Sequence, residues 1–319
     1  MVETSVIDGS ASPEIRSSGG VILRLEGISK QFPGTLALDN VDFDVRSGEV
    51  HVLFGENGAG KSTLIQIVAG VYRQSSGSIN LNGDNITLSS VKRARELGVS
   101  AVFQEFSLVP ELSVEENLFL GSELTRGPIL DKVSLRRQAR ETLDRLGFPL
   151  KANSIVLYLS RAEQQMVEIA KAFRTKPSIM IFDEPTASLT ERETERLFQL
   201  IEQLKSDGIG IIYITHRMNE IKQIGDRITV LRDGRLIDTI PVEEASDTKL
   251  VELMTGRVID QIFPEIKLQT GEELLKIENL VVHGDNAVQN ASINVRRGEV
   301  VGIAGLVGSG KSSIGRACF

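Results

Sequence analysis

The stretch HVLFGENGAGKST, residues 51–63, decides the fold. Its first four residues form a continuous, largely apolar run, which predicts a strand buried on both faces. Residues 55–63 fit the pattern G-x-x-x-x-G-K-[ST], in which a glycine-rich loop aims backbone N–H groups at phosphates. The segment STLIQIVAGVY, residues 62–72, predicts a helix directly after the loop. Strand, loop and helix in this order predict an α/β domain of the P-loop class.

A second copy of the motif lies near the other end of the chain. GLVGSGKSS, residues 305–313, fits the same pattern, and residues 37–64 align without gaps on residues 287–314 at an offset of 250. Because this period is the size of a domain, it indicates duplicated domains and not a solenoid of short repeats. We therefore expect a working first unit and a second unit that is cut short at Phe319.

Composition disfavours several classes of protein. The net charge is −7, which gives no electrostatic support for a nucleic-acid partner. The single cysteine, Cys318, rules out an internal disulfide framework. No apolar run approaches the ~18 residues that a membrane helix needs. The acidic start lacks the basic and apolar regions of a signal peptide.

The sequence pattern divides the chain into four parts. Apolar runs at 98–104, 178–183 and 210–215 predict further buried strands, and Asp233-Gly234 predicts a hairpin turn within 226–240. The predicted parts are a flexible tail 1–20, a first domain 21–256 with a helical segment at about 105–174, a linker 257–273, and an incomplete second domain 274–319. Residues 274–319 have too little apolar surface to offset their ordering entropy alone, so we expect them to be poorly ordered or to dock on the first domain.

Both loops supply candidate phosphate-binding residues. In the first loop, Lys61 is expected to reach the β- and γ-phosphates, Ser62 to ligate Mg²⁺, and Thr63 to cap the helix whose N-terminus favours anions. A glycine loop that only enters a helix is the alternative, which the full pattern in this context disfavours. The candidate residues are Gly55, Asn57, Gly58, Gly60, Lys61, Ser62 and Thr63, with Gly305, Gly308, Gly310, Lys311 and Ser312 in the second copy.

Polar residues at the ends of other predicted strands complete a candidate hydrolytic site. In FDEP, residues 182–185, Asp183 suits Mg²⁺ and Glu184 suits a general base that polarises the attacking water. His216 ends the strand expected beside this one, where it could contact the γ-phosphate. Gln104 ends the strand 98–103 and could contact Mg²⁺ and water. His51 and His283 are interpreted as ordinary core or surface residues.

These motifs together closely resemble an ABC-transporter ATPase, over nearly the whole chain from Val21. The resemblance makes Gln104 the Q-loop residue and His216 the switch histidine. It makes Phe32 the aromatic residue that stacks on adenine, and Ser160 in LSRAE the phosphate contact that another cassette supplies in trans. Segments such as FPGTLALDNVDF (32–43), FQEFSLVPELSVEENLFLG (103–121) and DEPTASLTERE (183–193) resemble the fused two-cassette ATPases of bacterial monosaccharide importers.

The resemblance implies ATP and Mg²⁺ as cofactors and two cassettes packed head to tail, for which a homodimer is one arrangement. It implies transmembrane permease subunits and, through them, a periplasmic sugar-binding protein as partners. The chain would then be peripheral, on the cytoplasmic face of the inner membrane, with segment 105–120 at the contact with the permease. One departure is Ala162, where the family has glycine. If that position needs a positive φ, the methyl group is unfavourable.

Three other functions compete with sugar import. A nucleotide-binding remnant would bind ATP without turnover or transport. A soluble tandem ABC protein acting on ribosomes would usually carry a long, charged linker, and the predicted linker is short and mixed in composition. A P-loop kinase is disfavoured by LSRAEQQ (159–165) and by the second P-loop.

Overall fold

A computed structural model describes residues 19–187, 189–256, 271–284, 287–305 and 308–318. The chain divides into two compact units, Met1–Val258 and Ile259–Phe319. The predicted tail lies outside the described residues except for 19–20, and so does the predicted linker except for 271–273. Among the described residues, no helix has both the length and the apolar character needed to cross a membrane.

Among the described residues, the first unit combines a six-stranded sheet, a four-stranded sheet and a short two-stranded hairpin with eight helices, and the second unit holds a hairpin and one helix. The strands are β1 Val21–Phe32, β2 Thr35–Arg46, β3 Val50–Phe54, β4 Ser76–Leu81, β5 Asp84–Ile86, β6 Val99–Val102, β7 Thr125–Arg126, β8 Ile129–Leu130, β9 Ile179–Asp183, β10 Gly210–Ile214, β11 Arg227–Arg232, β12 Arg235–Pro241, β13 Glu273–Val282 and β14 Val288–Arg296. The helices are α1 Lys61–Val68, α2 Val91–Glu96, α3 Val114–Phe119, α4 Lys132–Arg145, α5 Arg161–Phe173, α6 Glu191–Ser206, α7 Met218–Ile224, α8 Asp247–Thr255 and α9 Lys311–Ala317, with 3-10 turns at Val156–Tyr158 and Val242–Glu244.

The central sheet has six strands in the order β12-β11-β3-β10-β9-β6. All neighbouring pairs are parallel except β11 and β12, which form the predicted hairpin around Asp233-Gly234. Strands β3 and β10 are buried at every residue, as the apolar runs predicted. Because parallel strands end at the same edge of a sheet, the residues that follow β3, β6, β9 and β10 are brought together there.

Each face of the central sheet is covered by a different layer. Alternate residues of one strand point to opposite faces, so Met180 and Phe182 pack against the helices, while Ile179 and Ile181 pack against the other layer. That other layer is the antiparallel sheet β2-β1-β4-β5 together with α1. An ion pair between Arg227 of β11 and Asp44 of β2, 2.7 Å apart, ties the two sheets together.

The predicted helical segment contains α3, α4 and α5, and it also contains a short hairpin that the sequence reading missed. Strands β7 and β8 pair around Gly127-Pro128. Two of the three helices begin with reciprocal caps, Ser113 with Glu116 and Ser160 with Glu163. These caps satisfy backbone N–H groups that the first turn leaves unpaired, so each fixes where its helix starts.

The second unit has more regular structure than the sequence predicted. Strands β13 and β14 form an antiparallel hairpin, and α9 follows the second P-loop. Among the described residues of this unit, only Val288 is a buried apolar side chain. The two strands are joined by the backbone hydrogen bonds of an antiparallel pair. Residues 300–304, the counterparts of β3, form no strand.

Candidate nucleotide site

The first glycine loop turns sharply between β3 and α1. Gly60 has a φ of 102° and forms the N-cap of α1. A Cβ at Gly60 would lie 2.8 Å from the Ala37 carbonyl oxygen, and one at Gly55 would lie 2.3 Å from the Leu231 carbonyl oxygen. These two positions therefore admit only glycine without a shift of neighbouring backbone.

Lys61 begins the helix and bends back over the loop. Its Nζ donates hydrogen bonds to the carbonyl oxygens of Gly55, at 2.8 Å, and Glu56, at 2.9 Å. Burial lowers the pKa of this amine, and the neighbouring carboxylates of Glu184 and Asp183 oppose that shift. Thr63 lies in the first turn of α1, so the predicted capping role of Thr63 is wrong, because Gly60 occupies the N-cap position without a side-chain cap.

Two carboxyl groups stand at the end of β9. Asp183 is the last residue of the strand, and Glu184 follows it with a φ of 47°, an uncommon conformation for a residue with a side chain. Burial raises the pKa of Asp183 to about 6, Glu184 adds to the rise, and Lys61 opposes it. Glu184 therefore presents its carboxylate from a constrained backbone, next to an acid that its surroundings push toward the neutral form.

His216 meets Glu184 at this edge. Its Nδ1 lies 3.2 Å from Glu184 Oε1, and its side chain is 64% exposed. The backbone N–H of Glu184 donates to the Ile214 carbonyl oxygen at 3.0 Å, which links the two loops that carry these residues. The predicted neighbouring position of the histidine strand and the acid strand is confirmed by the pairing of β9 with β10.

A cavity of about 480 Å³ gathers most of the predicted site residues. Its lining also includes residues that the sequence analysis did not assign to the site, because they come from segments distant in sequence. The predicted residues in its lining are Asn57, Gly58, Gly60, Lys61, Ser62, Thr63, Gln104, Asp183 and Glu184. The unassigned lining residues are Thr35, Leu36, Ala37, Ile214, Asp233 and Gly234.

A second cavity, of about 640 Å³, lies beside the first. Gln104 and Glu184 line both cavities. The rest of its lining comes mainly from residues 105–110 and from the start of α5, including Arg161, whose guanidinium stands 5.4 Å from the Phe106 ring centre. Gln104 thus connects the loop region with the helical part of the unit.

Four predicted site residues of the first unit lie outside the lining of the 480 Å³ cavity: Gly55, His216, Phe32 and Ser160. Phe32 ends β1 and packs edge-on against Tyr72, with ring centres 5.2 Å apart. Ser160 is the N-cap of α5, where Glu163 Oε2 accepts its backbone N–H at 2.8 Å. Ala162 lies in the first turn of α5, with no positive φ. The condition for strain at Ala162 is therefore not met, because a helical conformation suits alanine well.

The second glycine loop repeats the local geometry of the first. Gly305, Gly308 and Gly310 have φ values of 157°, 86° and 83°, against 153°, 85° and 102° for their counterparts. Lys311 Nζ donates to the Gly305 carbonyl oxygen, as Lys61 does to that of Gly55. Ser312 follows within α9. The predicted site residues of both copies therefore form loops of one kind.

The glycine loop between a buried strand and a helix, with strand-end acids beside it, defines the P-loop nucleotide-binding proteins. The mixed central sheet, the antiparallel sheet and the helical part define the ATP-binding cassette among them. Residues 38–187 match the ABC transporter family, to which this cassette belongs.

Individual relatives fit this assignment. The ribose import ATP-binding protein RbsA 1 of Rubrobacter xylanophilus is 46% identical over 298 residues, which cover 93% of this chain and 59% of that protein. RbsA 1 of Streptomyces avermitilis is 46% identical over 303 residues, covering 95% and 58%. The dimeric structure of MJ0796, a bacterial ABC transporter cassette, has a TM-score of 0.61 at 26% identity and covers 69% of this chain and 99% of that one. The chain thus spans less than two thirds of the length of these two import proteins.

Proposed function

We propose that this chain is the ATP-hydrolysing subunit of a monosaccharide importer. The observation that carries the proposal is the meeting of Lys61, Asp183, Glu184 and Gln104 in one cavity, with His216 in contact with Glu184. Import of a sugar is supported by the names of the relatives, which are ribose import ATP-binding proteins.

ATP would lie with its phosphates on the first glycine loop. The backbone N–H groups of the loop and the N-terminus of α1 favour anions, and Lys61 supplies a positive charge there. Phe32, three residues before the cavity wall at Thr35, is proposed to stack on adenine. The second loop, with Lys311, has the same local donors for phosphate but no described acid beside it.

Mg²⁺ is proposed to be held by Ser62, Asp183 and Gln104. All three line the same cavity, and their hydroxyl, carboxylate and amide oxygens suit this ion, which usually binds one or two carboxylates plus phosphates and waters. Among the described residues, no group of three or more histidine, cysteine or acidic side chains is placed to hold a metal ion, so the proposed site depends on the nucleotide for its remaining ligands. When bound, the ion neutralises charge on the phosphates.

Glu184 is proposed to accept the proton of the attacking water. A base needs to reach that proton from a fixed position. Glu184 follows β9, and its backbone N–H donates a hydrogen bond to the Ile214 carbonyl oxygen, which holds it in place. His216, held against Glu184 Oε1, is proposed to contact the γ-phosphate. Lys61 would stabilise the charge that develops on the transferred group.

A second cassette is proposed to complete the site. Ser160 lies outside the cavity of its own unit, at the exposed start of α5, where it could face another cassette. The related cassette MJ0796 is dimeric. Residues 274–319 are proposed to begin a second cassette of a tandem protein, since they repeat the first in sequence and in loop geometry, and pairing of two copies of the chain is the other arrangement.

The importer partners follow from the same proposal. Transmembrane permease subunits would contact residues 105–120 next to the 640 Å³ cavity, and a periplasmic sugar-binding protein would act through them. The chain would then be peripheral at the cytoplasmic face of the inner membrane. A nucleic-acid partner is not proposed, because the chain is acidic.

Steady-state hydrolysis of Mg-ATP against protein concentration tests the proposal. We expect turnover that rises more steeply than concentration, and that falls about 10²- to 10⁴-fold in Glu184→Gln, because the amide cannot accept the proton. Nucleotide binding should survive that change. Tight Mg-ATP binding without turnover at any concentration would instead indicate a nucleotide-binding remnant, and the importer proposal would fail for this chain.

A further inference from the structure

A buried carboxylate outside the cavity joins the two loops that carry Glu184 and His216. Glu220 lies on α7 and is only 5% exposed. Its oxygens accept hydrogen bonds from Thr186 Oγ1 at 2.6 Å, Thr215 Oγ1 at 2.7 Å and Tyr213 Oη at 3.0 Å. A carboxylate buried to this degree is stable only when hydrogen-bond donors replace the water that it has lost. The three hydroxyl groups supply those hydrogen bonds to Glu220.

The donors come from the two strand ends of the hydrolytic site. Thr186 lies two residues after Glu184, and Thr215 lies directly before His216. Thr186 and Thr215 are each 2% exposed and Tyr213 is fully buried, so water does not compete for these hydrogen bonds. The hydroxyl of Thr215 also accepts the backbone N–H of Arg217 at 3.0 Å, which fixes the backbone on both sides of His216.

The contacts of Glu220 bear on the unusual backbone conformation of Glu184. With a φ of 47°, its backbone is in a region that residues with side chains adopt only where the surrounding structure imposes it. Two observed contacts impose it: the bond from its N–H to Ile214 and the anchoring of Thr186 by Glu220. The ring of His216, by contrast, is exposed and contacts Glu184, so the position of the ring depends on the backbone of His216.

We propose that Glu220 is a positioning residue that sets the distance between Glu184 and His216. Charge-assisted hydrogen bonds are shorter and stronger than neutral ones, so one carboxylate that binds both loops holds them at a fixed separation. The inference rests on the proposed function, because positioning matters only if Glu184 and His216 act on a nucleotide. A purely structural role would stabilise the unit without affecting those two side chains.

The experiment uses histidine labelled with ¹³C at Cε1 in the full chain, observed by NMR. The chain has three histidines, His51, His216 and His283, so the signals can be assigned by substitution. The test variants are Glu220→Gln and Glu220→Ala. The matched control is Glu49→Gln, which alters another buried carboxylate, one that pairs with Arg227 near His51 and is remote in the fold from His216.

We expect a crossed pattern. In both Glu220 variants the His216 signal should move or broaden while that of His51 stays, and in Glu49→Gln the His51 signal should move while that of His216 stays. In Glu220→Ala, kcat should fall about tenfold or more with KM for ATP nearly unchanged, because a displaced catalytic group costs rate and not binding at the P-loop. Glu220→Gln should show a smaller fall, since its amide keeps one acceptor oxygen.

Either of two results would overturn the proposal: an unmoved His216 signal in the folded Glu220 variants, or an unchanged kcat where that signal has moved. If Glu220→Ala does not fold, Glu220→Gln decides by the same criteria. A chain that shows the crossed pattern but neither binds nor hydrolyses Mg-ATP would overturn the proposed function, while the connection between the two loops would stand.

Discussion

The two P-loops of this chain have the same local geometry, but the structure that precedes each loop differs. Both follow the turn in which a glutamate carboxylate accepts a backbone N–H, Glu49 from Arg46 at 2.9 Å and Glu299 from Arg296 at 2.8 Å. The glycine φ values and the lysine contact also repeat. Yet the first loop follows a fully buried strand between β10 and β11, and the second follows residues 300–304, which are not a strand.

The difference shows what a sequence motif encodes by itself. Nine residues are enough to specify the turn, because glycine sterics and local hydrogen bonds determine it. The acids, the histidine and the glutamine come from β9, β10 and β6, which only a complete central sheet brings to the loop. Within the described residues of the second unit, no such strand lies beside the loop, so the motif has the phosphate-binding shape without partners for hydrolysis.

The largest expected effect compares Val50 with Val300, the same residue at the same position of the repeat. Val50 is fully buried and Val300 is 96% exposed. We expect Val50→Asp to lower the free energy of unfolding of the first unit by more than about 4 kcal/mol, because it buries an unpaired charge. Val300→Asp should change the free energy of unfolding of its own unit by less than about 0.5 kcal/mol.

Urea denaturation followed by circular dichroism measures both changes. An equal loss of unfolding free energy in the two variants would show that residues 300–304 pack into a sheet in solution. The contrast between the two loops would then be lost.

A smaller effect concerns pH, through His51 in β3, whose counterpart is Val301. Burial lowers the pKa of His51 from 6.5 to about 4, and Arg227 contributes to the shift. As pH falls through this window, the unfolded chain binds a proton at His51 before the folded one does, so the free energy of unfolding decreases. The loss should reach up to about 3 kcal/mol at the lower end.

The measurement is the difference in unfolding free energy between the wild type and His51→Gln across this pH range. As pH falls, the wild type should lose free energy of unfolding relative to His51→Gln. Above neutrality the difference between the two proteins should be constant. A difference that does not depend on pH would show that the imidazole is not the group that responds.

Local patterns predicted much of the fold from sequence. The buried strands and the hairpin at Asp233-Gly234 depend on periodicity and turn residues within one segment. Helix α1 was predicted through residue 72 but ends at Val68, because Gly70 has a φ of 75° and the Val71 N–H bonds back to the Gln66 carbonyl oxygen. The hairpin β7–β8 was missed because two-residue strands carry no periodic signal.

The candidate site was predictable where a residue ends or closely follows a recognisable strand, as Asp183 and His216 do. The walls at residues 35–37, in β2, and at the turn Asp233-Gly234 could not be found this way, since contacts far along the chain set their positions. The backbone N–H of Asp39 in β2 donates to the Gly234 carbonyl oxygen at 2.8 Å, which brings β2 and this turn together. Glu220 was missed for the same reason, because its donors lie on separate elements.

Calorimetric titration of Mg-ATP into the Glu184→Gln chain tests the central claim most directly, because it separates the two loops without turnover. The central claim is that the first P-loop binds nucleotide in the cavity that it shares with Gln104, Asp183 and Glu184, and that the second P-loop does not bind it. We expect Lys61→Ala to remove tight binding and Lys311→Ala to leave its affinity and stoichiometry unchanged. Loss of tight binding in Lys311→Ala, or its survival in Lys61→Ala, would contradict the account.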